Sequence, residues 1–143
     1  MERSKGAELA QLLLAGFTTM VDEVIAELER RGHPGVTATH EFALRAIDEG
    51  ARSASELGRA LGVSKQAAAK TIAALELLGY IDRETDPSDA RRKELRVTAR
   101  GYDMSTTGGK LFDELRGRWS VKIGGKRLEA LEAELAELRS PER

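Results

Sequence analysis

The stretch of residues 53–98 constrains the fold of this chain more than any other part of it. Ser53 and Glu56 form a capping-box pattern at the start of a short helical segment. Gly62 follows that segment as a turn residue, and Ser64 has the features of the N-cap of a second helix. Two short helices joined by a glycine turn are typical of a helix-turn-helix unit, which the sequence therefore predicts.

A charged hairpin is predicted directly after this unit. Residues 81–85 and 94–98 alternate apolar and polar side chains, as strands do. Between them, residues 86–93 begin with a turn-forming Asp-Pro pair and end with three consecutive basic residues, Arg91, Arg92 and Lys93. Together these patterns predict a mainly α fold with a small β-hairpin wing, which is a winged helix-turn-helix.

The second helix of the unit, from Ser64 to Leu78, is predicted to have a core side and an exposed side. Ala68, Ile72 and Leu75 recur at helical spacing and are expected to face the core. The opposite side carries Gln66, Ala67, Lys70, Ala73, Ala74 and Leu77. No acidic residue occurs on it over the first three turns, and its alanines would let the backbone approach the floor of a groove.

Several side chains on this helix have the chemistry of DNA contacts. Gln66 can bond adenine bidentately, and Lys70 can reach guanine or phosphate. Ser64 and Lys65 stand at the amino end, where free N–H groups and the helix dipole favour a phosphate. The alternative is an alanine-rich helix selected for helix propensity, with lysines that keep it soluble, and this helix alone leaves both interpretations open.

The basic hairpin favours DNA as the partner. Arginine at a wing tip suits a narrow minor groove, where the negative potential is strongest. The alternative is that Arg91, Arg92 and Lys93 are simply solvated. The net charge of -1 gives no support of its own, so any positive charge that meets DNA must be local.

Long amphipathic helices flank the predicted wing domain. From Ala7 to about Arg31, apolar residues recur at helical spacing. The apolar face that they form on the helix is wider than packing against one neighbouring element would need. Near the other end, four leucines form a short a/d seam: Leu128, Leu131, Leu135 and Leu138. We therefore expect dimerisation regions at 1–36 and 101–143 around a DNA-binding domain at 37–100.

Glycines within the helices predict local features. Gly58 lies inside the first helix of the helix-turn-helix unit, where a missing side chain makes sense if another helix crosses closely. The pair Gly108-Gly109 predicts a bend or close packing, and Gly124-Gly125 predicts a break.

Other classes of protein find little support. The chain has no cysteine, which excludes disulfides and thiol-based redox sensing. His33 and His40 are not spaced like ligands on one helical face, so neither a metal site nor a cofactor is expected. No nucleophile–base motif or phosphate loop indicates an enzyme. We find no run approaching ~18 apolar residues and no signal peptide, so a cytoplasmic protein without membrane contact is expected.

Two motifs in the wing segment resemble those of the MarR family of bacterial transcriptional regulators. Asp89-Ala90-Arg91, followed by Leu95-Arg96-Val97-Thr98-Ala99-Arg100-Gly101, is similar to that family's wing signature, D-x-R then L-x-[LV]-T-x-x-G. Leu75-Glu76-Leu77-Leu78-Gly79-Tyr80-Ile81 resembles the exit of its recognition helix. The resemblance runs from Thr37 to Gly101 and more loosely at both ends.

The resemblance implies a homodimer that binds pseudo-palindromic operators, usually as a repressor, and that is often released by a small aromatic ligand. Arg91 matches the arginine that enters the minor groove, and Asp89 matches the acid that orients it. Gln66 and Lys70 match groove-facing positions. The cysteine of the peroxide-sensing branch is absent.

Candidate liners of an effector pocket are Phe17, Met20, Phe42 and Trp119, although aromatic residues at helical spacing are more often core. The alternative function is a winged-helix ligand sensor or protein-interaction module with little affinity for DNA.

Overall fold

A computed structural model describes residues 1–139 and contains six helices and one β-hairpin over that range. The elements are α1 (Lys5–Arg30), α2 (Ala38–Asp48), α3 (Ala54–Leu61), α4 (Lys65–Leu77), β1 (Ile81–Asp86), β2 (Asp89–Val97), α5 (Ala99–Ile123) and α6 (Gly125–Leu138). The predicted mainly α winged helix-turn-helix is confirmed. The last residues of the expected C-terminal region, 140–143, lie outside the described residues.

The chain divides into two compact units, Met1–Gly109 and a second that begins at Lys110. The first contains α1 to α4, the hairpin and the beginning of α5. Its fully buried side chains include Leu28, Leu44, Ile47, Leu57, Ile72, Leu75, Tyr80 and Met104. In the second unit, Leu115 of α5 and Leu128 of α6 are buried, and Arg116 pairs with Glu132 across the two helices at 2.6 Å.

The cap at the start of α3 differs in one hydrogen bond from the predicted capping box. The Ser53 hydroxyl accepts from the Glu56 N–H as predicted, but the Glu56 carboxylate accepts from the N–H of Arg52 rather than that of Ser53. The predicted reciprocal box is therefore wrong there. It forms instead on α2, where Thr37 and His40 bond each other's backbone N–H groups.

Gly58 and Gly62 shape the turn of the helix-turn-helix unit. Gly62 ends α3 with a φ of 70°, a left-handed conformation that glycine adopts without steric cost. A Cβ at Gly58 would lie 2.9 Å from the Val63 carbonyl oxygen. The predicted close approach is present, but it comes from the turn itself and not from the side of a crossing helix.

The hairpin is longer than the sequence predicted. β2 begins at Asp89, so the expected loop 86–93 is wrong and only Pro87 and Ser88 form the turn. Thr85 pairs with Lys93 and Asp86 pairs with Asp89, which leaves Ala90, Arg91 and Arg92 as a bulge on β2 without Cα partners on β1. Pairing of Asp89 and Lys93 with β1 at the two ends of the bulge overrides the weak strand propensity of this polar segment.

The beginning of α5 packs tightly against the exit of α4. The Thr98 hydroxyl caps α5 by accepting from the Gly101 N–H at 3.1 Å. A Cβ at Gly101 would meet the Tyr80 carbonyl oxygen at 2.2 Å, so only glycine fits there. Further along, α5 continues through Gly108-Gly109, and a Cβ at Gly108 would lie 3.3 Å from a carboxylate oxygen of buried Glu41. The glycine pair therefore serves close packing.

The first half of α1 is exposed in the single chain. Leu12 is 70% exposed, and Leu9, Leu13, Leu14 and Phe17 are exposed with it, whereas Val21, Val24 and Leu28 are buried. By length and composition, Lys5–Arg30 could cross a membrane, with a mean hydropathy of 1.4 in its most apolar window. The expectation that no segment approaches the length and apolar character of a membrane span was wrong. Scattered polar residues interrupt the apolar run, but they do not lower the mean hydropathy of the window enough.

Candidate nucleic-acid interface

The exposed face of α4 is the first part of the candidate interface. Ala68, Ile72 and Leu75 are buried against the core, as predicted. Gln66 and Lys70 are exposed on the other side. The other residues predicted on this side are exposed too, except half-buried Ala74: Ala67, Ala73 and Leu77. Apart from Leu77, the helix therefore presents short or polar side chains to solvent on this side.

The amino end of α4 is built to receive an anion. The Ser64 hydroxyl caps the helix by accepting from the Ala67 N–H at 3.0 Å. Lys65 follows on the first turn, which contains no acidic residue. Within residues 1–139, neither Lys65 nor Lys70 forms an ion pair. The helix dipole and these two cations together therefore make the electrostatic potential at the amino end of α4 positive.

The single acidic residue of α4 is neutralised by the hairpin. Glu76 accepts from Nε and Nη2 of Arg83 on β1 at 3.2 and 3.0 Å. Both donors reach one carboxylate oxygen of Glu76, and this ion pair neutralises the negative charge on the helix and links α4 to the hairpin. Arg83 was not a predicted site residue, because the pair joins positions seven apart in two different elements.

The wing presents Arg91 and Arg92 on the bulge of β2 and Lys93 at its end. All three are exposed. An Asp89 carboxylate oxygen accepts from the backbone N–H of Arg91 at 3.0 Å. Asp89 thus fixes the backbone that carries the arginine; the expectation that it orients the arginine side chain stays a prediction. Arg96 differs, because Asp82 and Glu84 on the neighbouring strand bind its guanidinium.

Backbone contacts hold the hairpin against the helices. The Thr98 hydroxyl donates to the Gly79 carbonyl at 2.6 Å, and the Thr98 N–H donates to the Tyr80 carbonyl at 3.0 Å. The Leu95 N–H bonds the carbonyl of Arg52, between α2 and α3, at 3.4 Å. The wing is therefore attached at its base, and its bulge and turn project from that support.

A buried histidine lies next to the exit of α4. His33 is 3% exposed; its Nδ1 is 2.9 Å from the Tyr80 hydroxyl, and its Nε2 is 2.7 Å from a carboxylate oxygen of Asp103. Burial raises the pKa of Tyr80, so its hydroxyl keeps its proton. The Arg100 guanidinium lies 5.0 Å from the centre of the Tyr80 ring. Sequence reasoning missed this cluster, because its members are 47 and 70 residues apart from His33.

The four candidate effector-pocket residues are distributed over both units. Phe17 and Phe42 pack together, with ring centroids 6.3 Å apart. Met20 is half-buried one turn further along α1, and Trp119 is half-buried in α5. Phe42 also lines an open cavity of about 580 Å³ between α2 and α3, beside Arg45 and Leu61. The assignment of these residues to an effector pocket stays a prediction.

The comparisons with known proteins point to one family. Residues 35–92 match the model of the MarR family. In solved structures, CouR from Rhodococcus jostii RHA1, bound to p-coumaroyl-CoA, has 19% identity and a TM-score of 0.73, with 99% of each chain covered. The MepR–DNA complex from S. aureus has 19% identity and a TM-score of 0.72, with 94% of this chain and 96% of that chain covered.

A third similar structure is the MarR family protein Rv2887 of Mycobacterium tuberculosis in complex with p-aminosalicylic acid. It has 24% identity and a TM-score of 0.65, with 92% of this chain and 98% of that chain covered. At these identities the likeness establishes the fold. The chain has the fold of a winged-helix transcriptional regulator. Residues 35–92 match the MarR family model and the similar structures share this fold, which confirms the resemblance inferred from the sequence.

Proposed function

We propose that this protein is a sequence-specific DNA-binding transcriptional regulator that acts as a homodimer. The observation that carries the proposal is the exposed side of α4. Its two lysines form no ion pair among residues 1–139, and the one acid of the helix is paired with Arg83. Such a surface suits the major groove, where α4 would lie as a recognition helix.

The roles of the individual residues follow from their chemistry. Gln66 and Lys70 would meet base edges, and Ser64 and Lys65 would meet a phosphate at the amino end of α4. The wing would enter the minor groove with Arg91, supported by Arg92 and Lys93, while Asp89 holds the backbone. The domain boundaries expected from the sequence are part of this proposal, with the DNA-binding domain at 37–100.

Homodimerisation accounts for the exposed half of α1. A contiguous row of exposed leucines is typical of a protein interface. A membrane span is a poor alternative, because the exposed part from Lys5 to Met20 would be about 24 Å long, less than the ~30 Å of a bilayer core. In the rest of the helix, Val21, Val24 and Leu28 are buried. On α6, the exposed Leu131, Leu135 and Leu138 extend the case for a partner copy.

A two-fold dimer would present two copies of α4 to one side of a duplex. We expect half-sites about 10 base pairs apart, centre to centre, in a pseudo-palindromic operator. The similar MepR structure is a DNA complex, and the similar CouR and Rv2887 structures contain p-coumaroyl-CoA and p-aminosalicylic acid. These complexes support DNA binding and a small-molecule effector, and our proposal extends to a repressor in the cytoplasm that a small aromatic ligand releases from DNA. The proposal includes no enzymatic activity.

The test is a fluorescence-anisotropy titration of a labelled duplex from the region upstream of the protein's own gene. We expect saturation at two chains per duplex, and retention of the complex in excess nonspecific competitor. The alternative function, a ligand sensor or interaction module with little DNA affinity, predicts that the competitor removes all binding. Saturation at one chain per duplex would contradict the dimer.

A further inference from the structure

We propose that Arg100 is a positioning residue for DNA binding, which sets the half-site spacing that the dimer accepts. The inference rests on the proposed function, in which α1 contributes to the dimer interface and α4 is the recognition helix. It starts from one guanidinium that joins the end of α1 to the end of α4.

Arg100 lies in the first turn of α5 and donates to two carbonyls in different parts of the chain. Its Nε donates to the Leu78 carbonyl at the end of α4, and its Nη2 donates to the Gly32 carbonyl just after α1, both at 3.2 Å. Leu78 and Gly32 are 22 and 68 residues away from Arg100 in the sequence. A single side chain therefore connects two helices that are far apart along the chain.

A guanidinium is well suited to this position. Carbonyls at the carboxyl end of a helix lack partners within the helix and lie at the negative end of its dipole. Leu78 is the C-cap of α4, and Gly32 directly follows Arg31, the C-cap of α1. The planar fork of an arginine presents its N–H donors in fixed directions, whereas a lysine ammonium is a point charge on a flexible stem. Arg100 therefore supplies a bridge as well as a charge.

The surroundings of Arg100 limit the positions that its side chain can adopt. Its guanidinium carbon lies 5.0 Å from the centre of the Tyr80 ring, and a Cβ at Gly79 would lie 3.7 Å from its Cδ. The next residue, Gly101, packs so closely against the Tyr80 carbonyl that a side chain does not fit there. Both the backbone and the side-chain stem of Arg100 are therefore held against the exit of α4.

A second contact between the same helix ends lies beside the arginine bridge. The buried His33 imidazole, just after α1, has its Nδ1 2.9 Å from the Tyr80 hydroxyl. A single contact allows small rotations of α4 about it, whereas two separate contacts fix the direction of α4 relative to α1. Arg100 is exposed, so its replacement leaves no cavity in the core and removes one of these two contacts selectively.

Small rotations of α4 matter for the half-site spacing, because the helix acts as a lever. Its 13 residues span about 20 Å. A rotation of about 5° about the carboxyl end moves the amino end by roughly 1.7 Å. The two copies in a dimer can thereby change the separation of their amino ends by about 3.4 Å, which is the rise of one base pair. The bridge formed by Arg100 therefore limits the half-site spacings that the dimer can bind.

The test compares four full-length proteins: the wild type, Arg100→Met, Arg100→Lys and Arg31→Met. Methionine keeps an unbranched apolar stem without the donors, and lysine keeps the charge without the fork. Arg31 is a matched control, because it also lies at the end of α1 but pairs with Glu27 within that helix. The wild type first selects its operator from a pool of duplexes of random sequence.

Affinities are then measured for the selected operator and for versions with one base pair inserted or removed between the half-sites. We expect the loss of affinity caused by the altered spacing to be at least about fivefold smaller in both Arg100 variants than in the wild type. Arg31→Met should lose as much affinity as the wild type. A destabilised fold would weaken binding to every duplex equally, so this ratio isolates positioning.

Two results of this measurement would overturn the inference. The first is an equal spacing penalty in the wild type and Arg100→Met, because the arginine then does not restrict the spacing. The second is a wild-type penalty in Arg100→Lys together with a reduced one in Arg100→Met, because the effect then comes from the charge and not from the bridge. Either variant decides the matter alone if the other does not fold.

A second measurement does not depend on DNA. Since the chain has no cysteine, spin labels can be attached at Asp22→Cys on α1 and Ala67→Cys on α4, both exposed positions. Double electron–electron resonance, with the labelled chain diluted in unlabelled chain, gives the distribution of distances between the two labels. We expect a broader distribution in both Arg100 variants than in the wild type and Arg31→Met. Equal widths in all four proteins would overturn the inference.

The two proposals can fail separately. If none of the proteins binds any duplex, the proposed function fails, and the distance distributions still decide whether Arg100 holds α4 relative to α1. If all of them bind the operator with the same spacing penalty, the function stands and the inference about Arg100 is wrong.

Discussion

The exposed side of α4 and the exposed half of α1 are both open to solvent but opposite in chemistry. On α4, glutamine, two lysines and alanines are exposed; on α1, four leucines and a phenylalanine are. A polar surface is stable in water by itself, whereas a contiguous apolar surface needs a cover. The comparison indicates that the two exposed surfaces serve different partners. The side of α4 suits an anion, and the half of α1 suits a second copy of the chain.

One residue on α4 does not follow this division. Leu77 is 89% exposed at the end of the helix, although it is fully apolar. It stands alone on a polar side, and single exposed apolar residues are ordinary on protein surfaces. This isolation makes Leu77 a matched control for the leucines of α1.

The largest expected effect concerns the apolar surface. Leu12→Asp should raise the dimer dissociation constant by about 100-fold or more. A symmetric interface loses two buried leucines, each worth roughly 1.5–3 kcal/mol, and gains two buried charges. Sedimentation equilibrium measures the change. Leu77→Asp introduces the same charge outside the proposed interface and should leave the dimer intact; equal dissociation by both variants would contradict the comparison.

The next effect concerns the support that carries the DNA-binding surface. Gly101→Ala places a Cβ where the Tyr80 carbonyl oxygen lies 2.2 Å away, so the backbone must move. We expect the free energy of unfolding to fall by about 2–4 kcal/mol. Gly117→Ala, on the same helix, meets no atom within 4 Å and should instead stabilise the protein by about 1 kcal/mol. Chemical denaturation of both variants checks the pair, and a stable Gly101→Ala protein would refute the close contact.

The sequence was sufficient to predict the helices and the orientation of α4. Apolar spacing alone indicates that Ala68, Ile72 and Leu75 face the core, and glycine and serine mark the turn between α3 and α4. The fold class follows from these local signals, because each depends on residues within a few positions of one another.

Features that depend on distant residues could not be predicted in this way. The extension of β2 to Asp89 results from pairing with β1, which outweighs the polar character of residues 89–93. The partners of His33 and the Glu76–Arg83 pair are set by packing between elements. The sequence shows these residues but not that they meet.

A smaller effect distinguishes residues that contact DNA bases from residues that contact the DNA phosphate backbone. Gln66→Ala should reduce discrimination at one base pair of the operator by about 1–3 kcal/mol, because a bidentate contact is lost there. Lys65→Ala should weaken binding about equally for all sequences, since a phosphate contact carries no sequence information. Affinities for a set of single-base operator variants distinguish the two patterns. If Gln66→Ala behaves like Lys65→Ala, Gln66 does not read a base.

The salt dependence of DNA binding by two arginine variants of β2 tests the central claim most directly. Arg91 lies on the exposed bulge, whereas Arg96 is already bound by Asp82 and Glu84. The slope of log K against log salt is negative, and each lost phosphate contact reduces its magnitude by about 0.9, so Arg91→Ala should reduce that magnitude by roughly 2 for a dimer. Arg96→Ala should leave the slope unchanged. An unchanged slope for Arg91→Ala, or an equal decrease for Arg96→Ala, would contradict the assignment of this surface to DNA.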